Sequence, residues 1–221
     1  MAGMQIQRLR LTKGPRTCYN HKKKGAGLLH AGSAERSMKL YVMRHGQTDW
    51  NVQHLYQGQT DIPLNAVGRQ QALDARNKVW PGMVDLILCS PLGRARDTAA
   101  AVNEVIGAPI IYRKEMLERF FGEWEGLDYI EKRSHPYIAS GDYDNYRFEG
   151  RVAGIETCRE LCERSWSFLK EIKAYYPERN LLLVSHGSWI RAMSAYFRGL
   201  DENGSVGHVR AENCELLEFD W

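Results

Sequence analysis

Long hydrophobic runs are missing from this chain of 221 residues. Its purely aliphatic stretches, such as the Leu-Leu-Leu-Val of residues 181–184, last about four residues, whereas a helix needs about twenty apolar residues to cross a bilayer. The sequence therefore predicts neither a membrane span nor a membrane partner. With 43% hydrophobic and 26% charged residues, the chain has the balance of a globular protein of one or two domains.

The chain has few cysteines, and their number and spacing argue against a disulfide framework and against a zinc site. The five cysteines form no C-x-x-C pair, and their odd number argues against a set of disulfides. We therefore expect the reducing environment of the cytoplasm. Cys158 and Cys162 lie one helical turn apart with no histidine nearby, so the spacing favours two small apolar core positions over half of a zinc site.

Motifs for metal-dependent phosphate chemistry are also missing. The chain has no Walker loop, no H-E-x-x-H and no aspartate cluster typical of a metal site. We therefore expect no metal and no cofactor.

Positive charge is confined to the first 37 residues. They hold eight Lys and Arg against one Glu, a net charge of +7, whereas the remainder holds 22 Lys and Arg against 26 Asp and Glu, a net charge of −4. The overall charge of +3 therefore does not indicate nucleic-acid binding.

These first residues show no sustained apolar period of a helix or a strand. We expect residues 1–37 to be a disordered basic leader, either a tag or an extension from an upstream start, and residues 38–221 to form one domain. A transit peptide fits the acid-poor composition weakly. A lysine-rich patch for RNA or anionic lipid is the functional alternative.

The stretch Leu-Tyr-Val-Met-Arg-His-Gly-Gln-Thr-Asp-Trp-Asn, residues 40–51, is the most informative of the chain. A short β-forming run stops at Arg44 and His45, which predicts a histidine on the turn that leaves a buried strand. Ligands of open α/β sheets bind at such strand ends. Glycine at 46 permits close backbone approach, the Arg44 fork suits phosphate oxygens, and Thr48 and Asn51 add uncharged donors. A lone loop histidine is nevertheless more often structural or exposed than catalytic.

Two further strand ends have the same arrangement. The apolar run of residues 84–89 leads into a helix with Arg94 in its first turn, where backbone N–H groups favour anions. Taken alone, this arginine is more typical of an exposed helix start. The run of residues 181–185 ends at His186 and Gly187, followed by a helix over residues 188–198. Strands alternating with helices predict a three-layer α/β/α sandwich with a mostly parallel sheet.

The motif of residues 44–51 resembles the Arg-His-Gly-x-Thr/Ser-x-x-Asn of the histidine phosphatase (phosphoglycerate mutase-like) superfamily. Residues 90–99 resemble its Ser-Pro-x-x-Arg-Ala-x-x-Thr-Ala, and residues 117–126 resemble its Leu-x-Glu-x-x-Phe-Gly-Glu-Trp-Glu-Gly. The resemblance covers residues 39–219 and implies the same sandwich fold. It departs at residues 154–157, Gly-Ile-Glu-Thr, where the family has Gly-Gly-Glu-Ser before its long helix.

The resemblance also implies roles for single residues. His45 is the expected nucleophile, Glu118 the proton donor, and Arg44, Arg94 and His186 the partners of the transferred phosphoryl group. Expected phosphate or substrate contacts come from Thr48, Asn51, Gln57, Gly58 and Gly187. His54, His135 and His208 lack such context and are interpreted as structural.

These roles predict a metal-independent phosphomonoesterase that acts on a small phosphorylated metabolite through a phosphohistidine. The residues resemble the small phosphatase branch, including α-ribazole and broad-specificity phosphatases. A phosphoglycerate mutase-type phosphotransferase is the alternative, and a non-catalytic phospho-ligand binding protein is a third. A cytoplasmic enzyme with a small substrate and no nucleic-acid partner is expected, with a homodimer as one option.

The segment of residues 127–154 has no regular apolar period, only aromatic and charged residues. Such a length in a compact domain is typical of a functional cover over a pocket. A helical excursion packed on the surface is the equal alternative.

Overall fold

The computed structural model describes residues 7–8, 38–152, 154–207 and 209–221. Its six strands form one sheet in the order β1-β6-β2-β5-β3-β4. The strands are β1 (Gln7–Arg8), β2 (Lys39–Arg44), β3 (Leu86–Cys89), β4 (Ile110–Tyr112), β5 (Leu181–Ser185) and β6 (Leu216–Asp220). Only the β2–β6 pair is antiparallel among the described strands, so the predicted mostly parallel sheet is confirmed.

Helices cover both faces of this sheet. They are α1 (Asp49–Val52), α2 (Ala66–Asp74), α3 (Gly93–Ile106), α4 (Pro136–Ala139), α5 (Cys158–Tyr175) and α6 (Gly187–Arg198). Alternate residues of β2 face opposite cores: Leu40 and Val42 pack with α5 and α6, and Tyr41 and Met43 pack with α2 and α3. The predicted three-layer sandwich is therefore confirmed.

Helix boundaries follow capping chemistry more closely than apolar spacing. Asn65 caps α2, its side chain accepting a 2.8 Å hydrogen bond from the Gly68 N–H. The α-helix ends at Asp74 and continues as a 3-10 turn over Ala75–Lys78. The long helix α5 begins at Cys158, because Thr157 and Glu160 form a capping box at its N-terminus.

Cys158 and Cys162 of α5 are both buried in the core, as predicted from their spacing. In the leader, Gln7–Arg8 pair in parallel with Leu217 and Glu218 of β6. The disorder predicted for the other leader residues lies outside the described residues, as does the role of His208. No helix in the described part of the chain is long and apolar enough to cross a bilayer.

Candidate active site

Strand register brings the two predicted site histidines together. Arg44 is paired with Ser185 in the parallel β2–β5 ladder, so the residues that follow them, His45 and His186, leave the sheet side by side. Their ring centroids are 5.1 Å apart. The His45 N–H also donates to the Ser185 carbonyl over 3.0 Å, which ties the two strand ends together.

The His45 imidazole is buried and has one ring nitrogen engaged. Its Nδ1 lies 2.7 Å from the Gly46 carbonyl oxygen, an acceptor, so Nδ1 holds the proton and Nε2 keeps its lone pair. Burial, followed by the charges of Arg94 and Arg44, lowers the pKa of His45 well below its ordinary 6.5. A neutral imidazole with a free Nε2 is the form required of a nucleophile.

Gly46 permits the backbone approach expected of it. A Cβ at this position would stand 2.5 Å from the Gly68 carbonyl oxygen, and one at Gly68 would stand 2.0 Å from that of Gln47. The Gly46 N–H donates to Thr98 Oγ1 over 3.0 Å. The loop that holds His45 is thus in direct backbone contact with α2.

His186 is fully buried behind the His45 ring. Its Nε2 lies 2.7 Å from Ser90 Oγ, while its Nδ1 has no hydrogen-bond partner among the described residues. Burial lowers the pKa of His186 well below 6.5, and the charge of Arg94 lowers it further. Ser90 was not predicted as a site residue, although its position directly after a buried strand is the signal that identified both histidines.

Arg44 and Arg94 present unpartnered nitrogens close to these rings. Arg44 Nη1 donates to the Ala211 carbonyl over 2.9 Å, and Arg94 donates to the carbonyls of Gly58 and Thr60 over 2.8 and 2.9 Å. The Nε atom of each arginine is buried with no partner in the described part of the chain. Burial lowers the pKa of both, that of Arg94 to about 10, so Arg94 remains cationic near neutral pH.

The Glu118 carboxylate sits at the N-terminus of α6. Oε1 accepts from the N–H groups of Arg119 and Trp189 over 2.9 and 3.1 Å, and Oε2 accepts from the Ser188 N–H over 3.2 Å. His186 is the N-cap residue of α6, but its side chain does not cap the helix. Glu118 supplies that cap from another segment, which orients the carboxylate and places it next to the helix start.

Thr48 and Asn51 are hydrogen-bonded to each other at the start of α1. Thr48 is fully buried and forms a capping box with Asn51: its hydroxyl accepts from the Asn51 N–H and lies 3.2 Å from Asn51 Oδ1. Asn51 lines the cavity, whereas Thr48 does not. The threonine hydroxyl therefore caps α1 and orients the asparagine side chain.

A cavity of about 590 Å³ opens beside these groups. Of the predicted site residues, Arg44, His45, Asn51, Gln57, Gly58, Glu118 and Gly187 line it. Arg94 and His186 lie behind this lining, fully buried. Gly58 has a positive φ of 51°, and a Cβ there would collide with the Glu125 carboxylate, so this wall of the cavity favours glycine. Gln57 Oε1 is buried without a partner among the described residues.

The segment of residues 127–154 combines both sequence alternatives. It forms α4 and 3-10 turns at Glu131–Ser134 and Asp142–Asp144, and it also covers the cavity, to which Tyr129, Arg133, Ile138 and Tyr143 contribute. Beneath it, Tyr56, Phe121 and Ile155 form a small apolar cluster. This part of the cavity wall is therefore aromatic and separate from the main core.

Arg119 holds this cover in place, a role that sequence reasoning did not assign. The side chain is buried, donates to Glu156 O, Tyr143 O and Tyr137 Oη over 2.7 to 2.9 Å, and lies 4.3 Å from the Tyr143 ring centroid. Asp144 in the cover accepts from Arg191 of α6 over 2.7 Å. These contacts join the cover to the helix that Glu118 caps.

His54 contacts the Tyr129 hydroxyl over 2.8 Å, and His135 caps α4, so both have structural contacts. Within the described ranges no group of three or more His, Cys, Asp or Glu side chains is arranged to hold a metal ion.

Comparison with known proteins places this chain in one family. A model of the histidine phosphatase superfamily (branch 1) matches residues 40–221. A Bacillus subtilis (strain 168) protein named uncharacterized phosphatase PhoE is 37% identical over 183 residues, covering 81% of this chain and 89% of that protein. A probable phosphoglycerate mutase, GpmB of Escherichia coli (strain K12 / DH10B), is 29% identical over 191 residues, covering 83% and 85%.

A solved structure supports the same placement. The mycobacterial glucosyl-3-phosphoglycerate phosphatase in complex with VO3 matches with a TM-score of 0.72 at 29% identity, covering 82% of this chain and 90% of that chain. The chain belongs to the histidine phosphatase superfamily and is an enzyme of that class. Its relatives include proteins named phosphatases and proteins named mutases.

Proposed function

We propose that the protein is a metal-independent phosphomonoesterase that transfers the phosphoryl group of a small metabolite to His45 and then to water. The observation that supports this most directly is the His45 ring, which is buried, neutral and bonded through Nδ1 to a carbonyl, 5.1 Å from the His186 ring. Arg44 and Arg94 stand close to both rings and neutralise the charge of a phosphate dianion without a cation from solution.

In the first step, the lone pair of His45 Nε2 attacks phosphorus in line with the ester oxygen. The P–O bond breaks, its electron pair leaves with the alkoxide, and Glu118 donates a proton to that oxygen. Oε2 of Glu118 is the better placed oxygen for this exchange, since it accepts one backbone hydrogen bond and Oε1 accepts two.

In the second step, Glu118 takes a proton from a water molecule that attacks the phosphohistidine. The P–N bond breaks, its electron pair returns to Nε2, and inorganic phosphate leaves. Asn51 Oδ1 accepts from the Thr48 N–H, which leaves the amide nitrogen of Asn51 to donate to phosphoryl oxygens in both steps. The buried Nε atoms of the two arginines, unpartnered among the described residues, can donate to the same oxygens. The size of the cavity, about 590 Å³, suits a small metabolite.

The test is release of nitrophenol from p-nitrophenyl phosphate in the presence of EDTA. We expect turnover by the wild type, none above background for His45→Ala, and a large loss for Glu118→Gln. Glu123→Gln is the matched control, because Glu123 is an exposed glutamate five residues away. Mass spectrometry under alkaline conditions, in which phosphohistidine persists, should locate the phosphoryl group on His45.

Two results would contradict the proposal. Absence of turnover by the wild type, together with retained phosphate binding, would favour a phospho-ligand binding protein. Turnover by His45→Ala at the wild-type rate would exclude His45 as nucleophile.

A mutase is the second candidate, favoured by the similarity to GpmB. The same phosphohistidine serves a mutase if a second substrate hydroxyl accepts the phosphoryl group in place of water. Interconversion of 2- and 3-phosphoglycerate that depends on priming by 2,3-bisphosphoglycerate would identify this activity, and hydrolysis of the primer alone would support the phosphatase.

A further inference from the structure

Ser90 contacts His186, the histidine next to the proposed nucleophile His45. The family motif gives Ser90 no part in the chemistry. It is fully buried at the end of β3, next to the end of β5, and its N–H donates to the Val184 carbonyl over 3.0 Å. Its Oγ lies 2.7 Å from His186 Nε2, across 96 positions of sequence. This contact exists because β3 and β5 are neighbours in the sheet.

We infer that Ser90 is a positioning residue that holds neutral His186 in the tautomer with the proton on Nδ1, so that this N–H donates to the transferred phosphoryl group. The inference rests on the proposed phosphoryl transfer. It deepens that proposal, because a neutral imidazole has one N–H, and the nitrogen that holds it decides whether the ring donates to an oxyanion or repels it.

The hydrogen bonds around Ser90 decide the direction of the contact. The Leu92 N–H lies 3.4 Å from Ser90 Oγ and donates to it. Within the described residues, His186 Nε2 is the acceptor in reach of the Ser90 O–H. If Nε2 held the proton, the hydroxyl would accept from two N–H groups and its own O–H would be buried without an acceptor.

The other ring nitrogen is then left to donate. His186 Nδ1 is buried and has no partner in the described part of the chain. The ring lies 5.1 Å from the His45 ring, so a phosphoryl group on His45 Nε2 lies within reach of the His186 ring. With the proton on Nδ1, the unpartnered atom is a donor, which an incoming phosphoryl oxygen satisfies.

The direct test is nuclear magnetic resonance of the protein labelled with 15N-histidine. Nitrogen shifts and long-range couplings to the ring protons show which nitrogen holds the proton. We expect His186 of the wild type to be protonated on Nδ1 and bare on Nε2. A His186 protonated on Nε2 in the wild type would overturn the inference, and this reading needs neither turnover nor a variant.

The second test compares Ser90→Ala with Ser165→Ala, a fully buried serine in α5 whose hydroxyl donates to Cys162 O. We expect Ser90→Ala to populate the Nε2-protonated tautomer and to lose about 10- to 100-fold in kcat, the loss typical when a partner that orients a metal-bound histidine is removed, with little change in KM. Inhibition by vanadate should weaken in parallel. Ser165→Ala should change neither.

Wild-type kcat and vanadate inhibition in folded Ser90→Ala would contradict the inference. The two proposals fail separately: absent hydrolysis by the wild type with the Nδ1 tautomer present rejects the phosphatase and keeps the Ser90 contact. Normal hydrolysis with the Nε2 tautomer rejects Ser90 alone.

Discussion

His45 and His186 stand with ring centroids 5.1 Å apart because each directly follows one residue of a register pair in two neighbouring parallel strands. Neither ring depends on a loop of variable length for its position. The sheet therefore determines the distance between the proposed nucleophile and its proposed partner, and loop residues such as Asn51 are added around this pair.

The first prediction concerns pH and stability. Burial lowers the folded-state pKa of both histidines, so below about pH 6.5 the unfolded chain binds protons that the folded protein does not. The free energy of unfolding therefore has its full value above about pH 6.5 and decreases as the pH falls below it. For each histidine the decrease is at most about 1.4 kcal/mol per pH unit. Urea unfolding between about pH 7.5 and 5.5 measures this slope.

The His186→Gln variant should show a shallower dependence than the wild type. His54→Asn is the control, since His54 is exposed and its positive φ of 60° suits asparagine. If the free energy of unfolding changed with pH equally in the wild type and in His186→Gln, burial of His186 would not keep its imidazole unprotonated.

The second prediction separates two arginines of α3. Arg94 is buried between the carbonyls of Gly58 and Thr60, whereas Arg96 is exposed over the Tyr112 ring at 5.3 Å. Arg94→Lys loses the forked donor set, and we expect kcat/KM to fall by about 10²- to 10³-fold, as for other lost oxyanion donors. Arg96→Lys should match the wild type in the same nitrophenol assay. A similar loss in both variants would contradict the assignment.

The third prediction concerns the contact between Gly46 and α2. A methyl group at 46 would stand 2.5 Å from the backbone oxygen of Gly68, which cannot move as a flexible side chain can. Gly46→Ala should lower the free energy of unfolding by about 1–3 kcal/mol or more, because the loop must shift. Denaturant unfolding should find little change in Gly207→Ala, where the nearest atom is the Ser205 hydroxyl at 3.3 Å. An unchanged midpoint for Gly46→Ala would contradict this contact.

The fourth prediction concerns the cover. Lysine at 119 keeps the charge but replaces a planar fork with three bonds by a single ammonium, leaving buried acceptors without donors. We expect Arg119→Lys to lose about 1–3 kcal/mol of unfolding free energy and to raise KM, since Tyr143 lines the cavity. Arg147→Lys is the control, an exposed arginine that donates to one carbonyl, Glu202 O. An unchanged KM would show that the cover does not contribute to substrate binding.

The sequence by itself determined the parts of this protein that depend on a few adjacent residues. Short β-forming runs that end in Arg-His-Gly and His-Gly predicted strand ends with histidines, because strand formation depends on local interactions. The family motifs in residues 44–126 indicated the class of enzyme from the same local patterns.

Only the tertiary structure decided how these parts meet. Ser90 reaches His186 across 96 positions and Glu118 caps α6 across 71, and both contacts follow from sheet order and helix placement. Thr48 stands at a motif position that is expected to contact phosphate, and in the structure its hydroxyl caps α1. The reason is physical: a side chain can make only a few hydrogen bonds, and which partner it meets depends on neighbours that are distant along the chain.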